Sequence, residues 1–351
     1  MNYIFDKKNN NDNDNDSDFI KNTILGNKLN VYIPKCIKHP VISGLSYTTG
    51  TCIGKGSNSV CYTVTSNQSQ NEYVCKIIPK SLFTKFCLNE INLHMKASTH
   101  PRIIKFYRSF SDYKNVYILV EKCRKGTLLT YSLLHGSSIP IQSIQKIFCQ
   151  LVDAVKHLHE KCCIVHGDLK LNNILLRRDK NKLNLQVADF GFAVQMVDGN
   201  NWKNGVLRYT PNYITPEMLK KLDSKSKMCN NNNNNNNNID NTDNTNNEEY
   251  FGYATDMWCL GIMLYTLLYG HPPFEVKNNV EATFNKLRQE KYYFPERNCT
   301  IQQTEDEKKL EFQAKLIISQ LLNSCPRQRL TISQVLKHEF LLNNDNNNEL
   351  E

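Results

Sequence analysis

The chain lacks a CxxC pair, although it has 13 cysteines. Cys162 and Cys163 are adjacent, and the others sit singly in apolar or strand-like runs. A structural zinc site is therefore not expected. The first residues, MNYIFDKKNN, contain no apolar core of the kind a secretory leader needs. Reduced thiols in an intracellular compartment, cytoplasmic or nuclear, are expected. The longest apolar run, residues 257–270, is 14 residues long, whereas a membrane-spanning helix needs about 20. It reads as a buried helix, and no membrane partner is expected. The net charge is +9, but the basic residues are scattered. Without a basic stripe no nucleic-acid partner is expected, and at most a weak preference for acidic peptides follows. Internal repeats are absent. His94, His157 and His159 have no partners at metal-binding spacing and read as structural or surface residues.

Asparagine is what the chain has in excess. Residues 6–30 are rich in Asn and Asp, and residues 223–249 contain an unbroken Asn run from 230 to 238. Such segments cannot bury apolar surface and are expected to be disordered. The division that follows is a low-complexity tail at 1–45, a folded domain at 46–342 interrupted at 223–249, and a short tail at 343–351. An Asn run can also drive self-association, so an assembly role is an alternative. At 351 residues the chain is long enough to bury a sizeable core.

Hydrophobic patterning changes midway. Residues 51–64 read as two strands around a glycine turn, 73–78 as a third strand and 115–120 as another. Residues 82–97 can form one helix. After Gly126 the pattern becomes helical, with Ile144, Ile147, Phe148, Leu151, Val155 and Leu158 at helical spacing. Residues 185–188 read as a short strand, and 253–268 and 311–322 as helices. A β-rich part followed by a larger α-rich part predicts an α+β fold of two lobes with a cleft.

The turn Ile53-Gly54-Lys55-Gly56-Ser57-Asn58-Ser59-Val60-Cys61 lets backbone amides approach phosphate oxygens, because glycines put no side chain in the way. Lys76 follows Cys61 by fifteen residues, on the apolar strand YVCKII. A lysine there is costly unless paired, and its natural partners are phosphates and a carboxylate on the next helix, for which Glu90 is the candidate. Asp168 lies in HGDLKLNN, Asn173 comes five residues later, and Asp189 opens Asp-Phe-Gly sixteen residues after Asn173. Phosphoryl transfer needs an anion to orient the attacking hydroxyl and oxygen ligands to hold Mg²⁺ on the phosphates. Asp168 suits the first task, and Asn173 and Asp189 the second. Lys170 suits neutralisation of the transferred group.

These residues, in this order, resemble the eukaryotic protein kinase superfamily over residues 46–341. The resemblance implies a small β-rich lobe, a larger helical lobe, ATP and Mg²⁺ as cofactors, and protein substrates. It implies that Thr215-Pro216-Glu217 stands for the family's A-P-E, that Asp256 organises the catalytic loop, and that Arg329 pairs with Glu217. Lys170 and Thr210 look like the Ser/Thr branch, where both contact the catalytic aspartate. The finer resemblance is to polo-like kinases, carried by GKGSNSVCY with Cys61, KIIPKSL, VEKCRKGTLL and TPNYITPEML. It implies Val120 as gatekeeper and Glu121 and Cys123 at the adenine edge. After HEFLL the chain ends within ten residues, so polo boxes, and docking through them, are not carried over.

The chain departs from the family pattern in several places. Gly167 replaces the arginine of H-R-D, which binds the phosphate of an activated loop. Val206 falls where polo-like kinases carry the regulatory threonine. The two losses agree, so activity is expected without phosphorylation there. Val74 stands where a small alanine is usual. Lys76 and Glu90 are closer in sequence than in polo-like kinases, so the helix begins later or its tether is tight. Ser59 replaces a third glycine, which a small residue tolerates. The reading is a monomeric, ATP- and Mg²⁺-dependent protein Ser/Thr kinase. The alternative is a pseudokinase scaffold, against which stand Lys76, Asp168 and Asp189, all present.

Overall fold

The computed structural model describes residues 19–23, 30–56, 58–179, 182–196, 209–231, 252–297 and 303–342. Its contacts divide the chain into two compact units, Met1–Cys123 and Arg124–Glu351. The α+β expectation holds, with the sheet-rich unit first and the helix-rich unit second.

The first unit is built on an antiparallel sheet. Its strands are β3 (Cys36–Lys38), β4 (Ser46–Lys55), β5 (Val60–Ser66), β6 (Glu72–Pro79), β7 (Phe106–Ser111) and β8 (Asn115–Glu121), in the order β3-β4-β5-β6-β8-β7. Side chains alternate across a pleated strand, and β5 follows this rule: Val60, Tyr62 and Val64 are buried while the residues between are half-buried. Helix α1 (Lys85–Ala97) turns Cys87 and Ile91 onto Ile78, Val116 and Ile118. The single helix expected over 82–97 is instead a 3₁₀ turn, Lys80–Leu82, followed by α1. The helix begins late, as the short spacing between Lys76 and Glu90 allowed.

The tail expected at 1–45 is corrected in part. β1 (Phe19–Thr23) and β2 (Asn30–Pro34) pair antiparallel, and β3 joins the main sheet against β4. Val31, Ile33, Ile37 and Leu45 are buried in one cluster with Tyr47, Tyr62, Val64, Ile77 and Tyr117. These apolar residues lie just past the Asn-rich stretch at 6–30, and they are enough to close this core. Burying each such side chain contributes roughly 1.5–3 kcal/mol.

The second unit is mainly helical. Its helices are α2 (Leu128–His135), α3 (Ile141–Lys156), α4 (Pro216–Asn231), α5 (Tyr253–Tyr269), α6 (Val280–Arg288), α7 (Glu305–Leu321), α8 (Ile332–Val335) and α9 (Glu339–Leu342). Strands β9 (Ile164–Val165), β10 (Ile174–Asp179), β11 (Lys182–Val187) and β12 (Val194–Gln195) form two short antiparallel pairs. α5 is buried along almost its whole length, as its apolar run predicted. A Cβ at Gly261 would lie 2.8 Å from Leu322 Cδ2 and 3.0 Å from Leu321 Cβ, so glycine sets how closely the end of α7 packs on α5.

Two boundaries move. α7 starts at Glu305 rather than 311, because Thr304 and Glu307 form a reciprocal capping box ahead of the apolar stripe. α4 runs to Asn231, into the segment expected to be disordered from 223. The rest of that segment, residues 232–249, and the tail at 343–351 lie outside the described residues. Among the described residues no helix is long and apolar enough to cross a membrane, and no cluster of metal-ligating side chains occurs.

Candidate active site

In the first unit, β4 and β5 meet around the glycine turn, where Gly56 N–H donates to Ser59 O at 2.8 Å. Ser59 and Val60 are buried, and Ile53 is exposed. Gly54, Lys55 and Asn58 complete the described part of the turn, while Ser57 lies outside the described residues. Cys61 is half-buried and pairs across the sheet with Lys76. Lys76 Nζ donates to Glu90 Oε1, so the ion pair forms despite the short tether. Val74 and Val120 are register partners on β6 and β8. Glu121 N–H donates to Lys105 O at 2.9 Å, and Cys123 is half-buried.

In the second unit the loop that carries Asp168 hangs from Asp256. This carboxylate is fully buried near the start of α5. Its Oδ2 accepts from His166 N–H at 2.9 Å, and its Oδ1 from Gly167 N–H at 2.9 Å. His159 Nε2 is also 2.9 Å from Oδ2. Burial alone would raise the Asp256 pKa. The His159 hydrogen bond, the His159 and His166 rings and the Gly167 amide outweigh it and hold the group below its ordinary value. His159 reaches Asp256 from a π-helical turn, His157–Lys161, that ends α3 and is closed by Cys162 N–H on His157 O at 3.1 Å.

The loop brings together Asp168, Lys170, Asn173 and Thr210. Lys170 Nζ donates to Asp168 Oδ2 at 2.7 Å and to Thr210 Oγ1 at 3.0 Å. The Thr210 hydroxyl donates to Asp168 Oδ1 at 2.8 Å. Asn173 Nδ2 donates to Asp168 O at 2.9 Å and to Oδ2 at 3.1 Å. Asp168 is 7% exposed, so these donors replace most of its water. Both Asn173 Nδ2 protons thus point at Asp168, which leaves the amide oxygen as the acceptor end. Asp189 is tied nearby: Ala188 N–H donates to Asn173 O at 2.8 Å, and Ala188 O lies 3.1 Å from His166 Nε2. Asp189 has φ +65°, and Phe190 is buried against the His166 ring at 5.2 Å. A carboxylate and an amide oxygen are hard donors, so the pair fits Mg²⁺ by chemistry.

Thr210 is anchored further along. The Tyr213 hydroxyl accepts from Leu171 N–H at 3.4 Å, and burial pushes its pKa up. Arg329 grips Glu217 with two hydrogen bonds of 3.0 Å each and lies 5.0 Å from the Trp258 ring centroid. Val206 lies outside the described residues. Sequence reading missed three features of the site. His159, read as structural or surface, is structural, being buried against Asp256, but that partner was not foreseen. Tyr213 was not singled out. Gly167 was noted for a missing arginine, but its backbone matters as well: φ is +75°, and a Cβ there would lie 2.9 Å from Phe192 O. A histidine at the end of an apolar-striped helix, seven residues before His166, was the available signal for the first.

Comparison with known proteins agrees with this geometry. The family model described as protein kinase domain matches residues 47–233 and 239–341. A probable serine/threonine-protein kinase PLK of Dictyostelium discoideum is 32% identical over 84% of this chain and 26% of its own length. A probable cell cycle serine/threonine-protein kinase CDC5 homolog of Encephalitozoon cuniculi is 30% identical over 86% of this chain and 56% of its own length. The serine/threonine-protein kinase PLK2 of Mus musculus is 28% identical over 86% of this chain and 38% of its own length. The chain therefore spans between about a quarter and just over half the length of these relatives, all of them named as serine/threonine-protein kinases. With a family match over most of its residues, this chain belongs to the protein kinase domain family.

Proposed function

We propose that the chain transfers the γ-phosphoryl group of ATP to Ser and Thr hydroxyls of protein substrates, without needing phosphorylation of its activation segment. The observation that carries this reading is the setting of Asp168. Lys170, Thr210 and Asn173 all donate to its carboxylate, which fixes its direction. Asp168 would take up the substrate hydroxyl's hydrogen bond and orient the oxygen for attack. Lys170, already beside that carboxylate, would offset the negative charge that develops on the transferred group. In the first unit Lys76, held by Glu90, would hold the phosphates, under the amides of the glycine turn around Gly54 and Gly56. Glu121 and Cys123 would meet the adenine. Asn173 and Asp189 would hold Mg²⁺, which when bound screens the phosphate charge.

Independence from phosphorylation is supported by Gly167. It carries no side chain to receive a phosphate, and the Thr210–Asp168 and Lys170–Thr210 contacts are made by the unmodified chain. Radiolabel transfer to a Ser/Thr peptide library tests the chemistry, with Asp168→Asn expected to lower it by at least about a hundredfold. Equal labelling by both proteins would defeat the role given to Asp168. Phosphatase treatment is expected to leave the rate unchanged; loss of activity would defeat the second half of the reading.

A further inference from the structure

We propose that Gln195 is a positioning residue, whose side-chain amide ties the segment that follows Asp189 to the strap that leads into Asp168. This role rests on the phosphoryl-transfer reading, and all of its contacts lie within the second unit. Gln195 stands on β12, six residues after Asp189, and its register partner on β9 is Ile164. Its Nε2 donates to Cys163 O at 2.7 Å and to Cys162 O at 3.0 Å. A third carbonyl, Met196 O, lies 3.4 Å away. A side-chain amide nitrogen has two protons, and the two shorter contacts use both. Met196 N–H adds a backbone bond to Cys163 O at 2.8 Å.

These bonds fall where the chain needs them. The π-helical turn His157–Lys161 ends, the chain turns through Cys163 at φ +51°, and β9 begins at Ile164. A residue with a side chain rarely adopts that backbone, so the turn must be held by its surroundings. β9 and β12 pair over only two residues each, and so short an antiparallel pair is marginal by itself. The Gln195 amide carries the pairing past its last backbone rung and onto the turn.

Both ends of the tie lead to a site residue. β9 runs into His166 and Gly167, whose amides meet Asp256, and then into Asp168. On the other side, Ala193 N–H donates to Phe190 O at 3.0 Å, one residue after Asp189. The Phe190 ring is buried against His166. Gln195 thereby couples the placement of Asp189 to that of Asp168. Gly167 has no side chain with which to make such a tie, and a neutral amide makes one that requires no phosphate.

Two variants of the full chain separate donor chemistry from packing. Gln195→Met keeps the length of the side chain and loses its donors, whereas Gln195→Lys keeps donors at a similar reach. Gln195→Met is expected to lower kcat for peptide phosphorylation about tenfold, the worth of the lost hydrogen bonds. KM for ATP is expected to stay unchanged, because the glycine turn and Lys76 are untouched. Gln195→Lys is expected to recover most of the rate. Hydrogen-exchange mass spectrometry without nucleotide reads the tie itself. The amides of residues 163–168 are expected to exchange about tenfold faster in the Met variant, and near the wild-type rate in the Lys variant. A wild-type kcat in Gln195→Met, equal losses in the two variants, or unchanged exchange in Gln195→Met would overturn the role of Gln195 alone. No transfer by the wild-type protein would overturn that role and the proposed function together.

Discussion

Gly167 donates its backbone N–H to Asp256 Oδ1 at 2.9 Å while holding φ at +75°. The hydrogen bond sets the loop that carries Asp168, and the left-handed backbone lets both His166 and Gly167 turn their amides toward one carboxylate. A residue with a side chain pays for that conformation, and here a Cβ would also lie 2.9 Å from Phe192 O. Gly167→Ala is expected to destabilise the protein by about 1–3 kcal/mol and to lower peptide phosphorylation in parallel. Urea denaturation with an unchanged midpoint would show that the loop relaxes at no cost.

Asp256 makes the second unit sensitive to acid. Its folded-state pKa lies below the ordinary value of 3.8. A group depressed in this way contributes stability that is present above its unfolded pKa and disappears as pH falls through the folded one. Near-ultraviolet circular dichroism is therefore expected to show a loss of structure beginning below about pH 4. Asp256→Asn removes that part of the acid dependence while lowering stability at pH 7. An identical acid midpoint in wild type and variant would exclude Asp256 as its source.

Arg329 and Glu217 are linked by a two-pronged bond from a guanidinium that is 3% exposed. Arg329→Met strands the half-buried Glu217 carboxylate and is expected to cost up to about 3 kcal/mol. Adding Glu217→Gln should recover part of that loss, so the double variant is more stable than the sum of the single effects allows. Strict additivity in denaturant midpoints would show that the pair is not coupled.

Ile33 is fully buried beside Tyr47, Tyr62 and Tyr117. Ile33→Ala is expected to lower stability by about 2–5 kcal/mol. Removal of residues 1–45 would strip Val31, Ile33, Ile37 and Leu45 from the same cluster and lower the melting temperature further. A truncated protein that melts with the full chain would return this segment to the status of a tail.

Much of the site was legible in the sequence because its chemistry is local. Asp168, Lys170 and Asn173 lie within six residues, and the glycine turn and Lys76 sit on adjoining strands joined by a short connection. The alternation on β5 and the apolar run of α5 also reported their burial directly, since side-chain period and residue type act over a few neighbours. The N-terminal strands were not read: Val31, Ile33 and Ile37 lie in short apolar stretches just after the Asn-rich segment, and only a partner sheet makes their burial favourable. The start of α7 depended on a cap, and the reach of α4 into Asn-rich sequence depended on continuing a helix already formed.

The residue types of the candidate site, and their order, were determined by the sequence itself, because those groups act through charge and donor chemistry they carry anywhere. Tertiary structure decided how they are held. His159 meets Asp256 across 97 positions, and Arg329 meets Glu217 across 112. Gly167 takes a left-handed turn because Asp256 is there to receive its amide. Contacts over such separations exist only once the helices have packed, and they fix where Asp168 points.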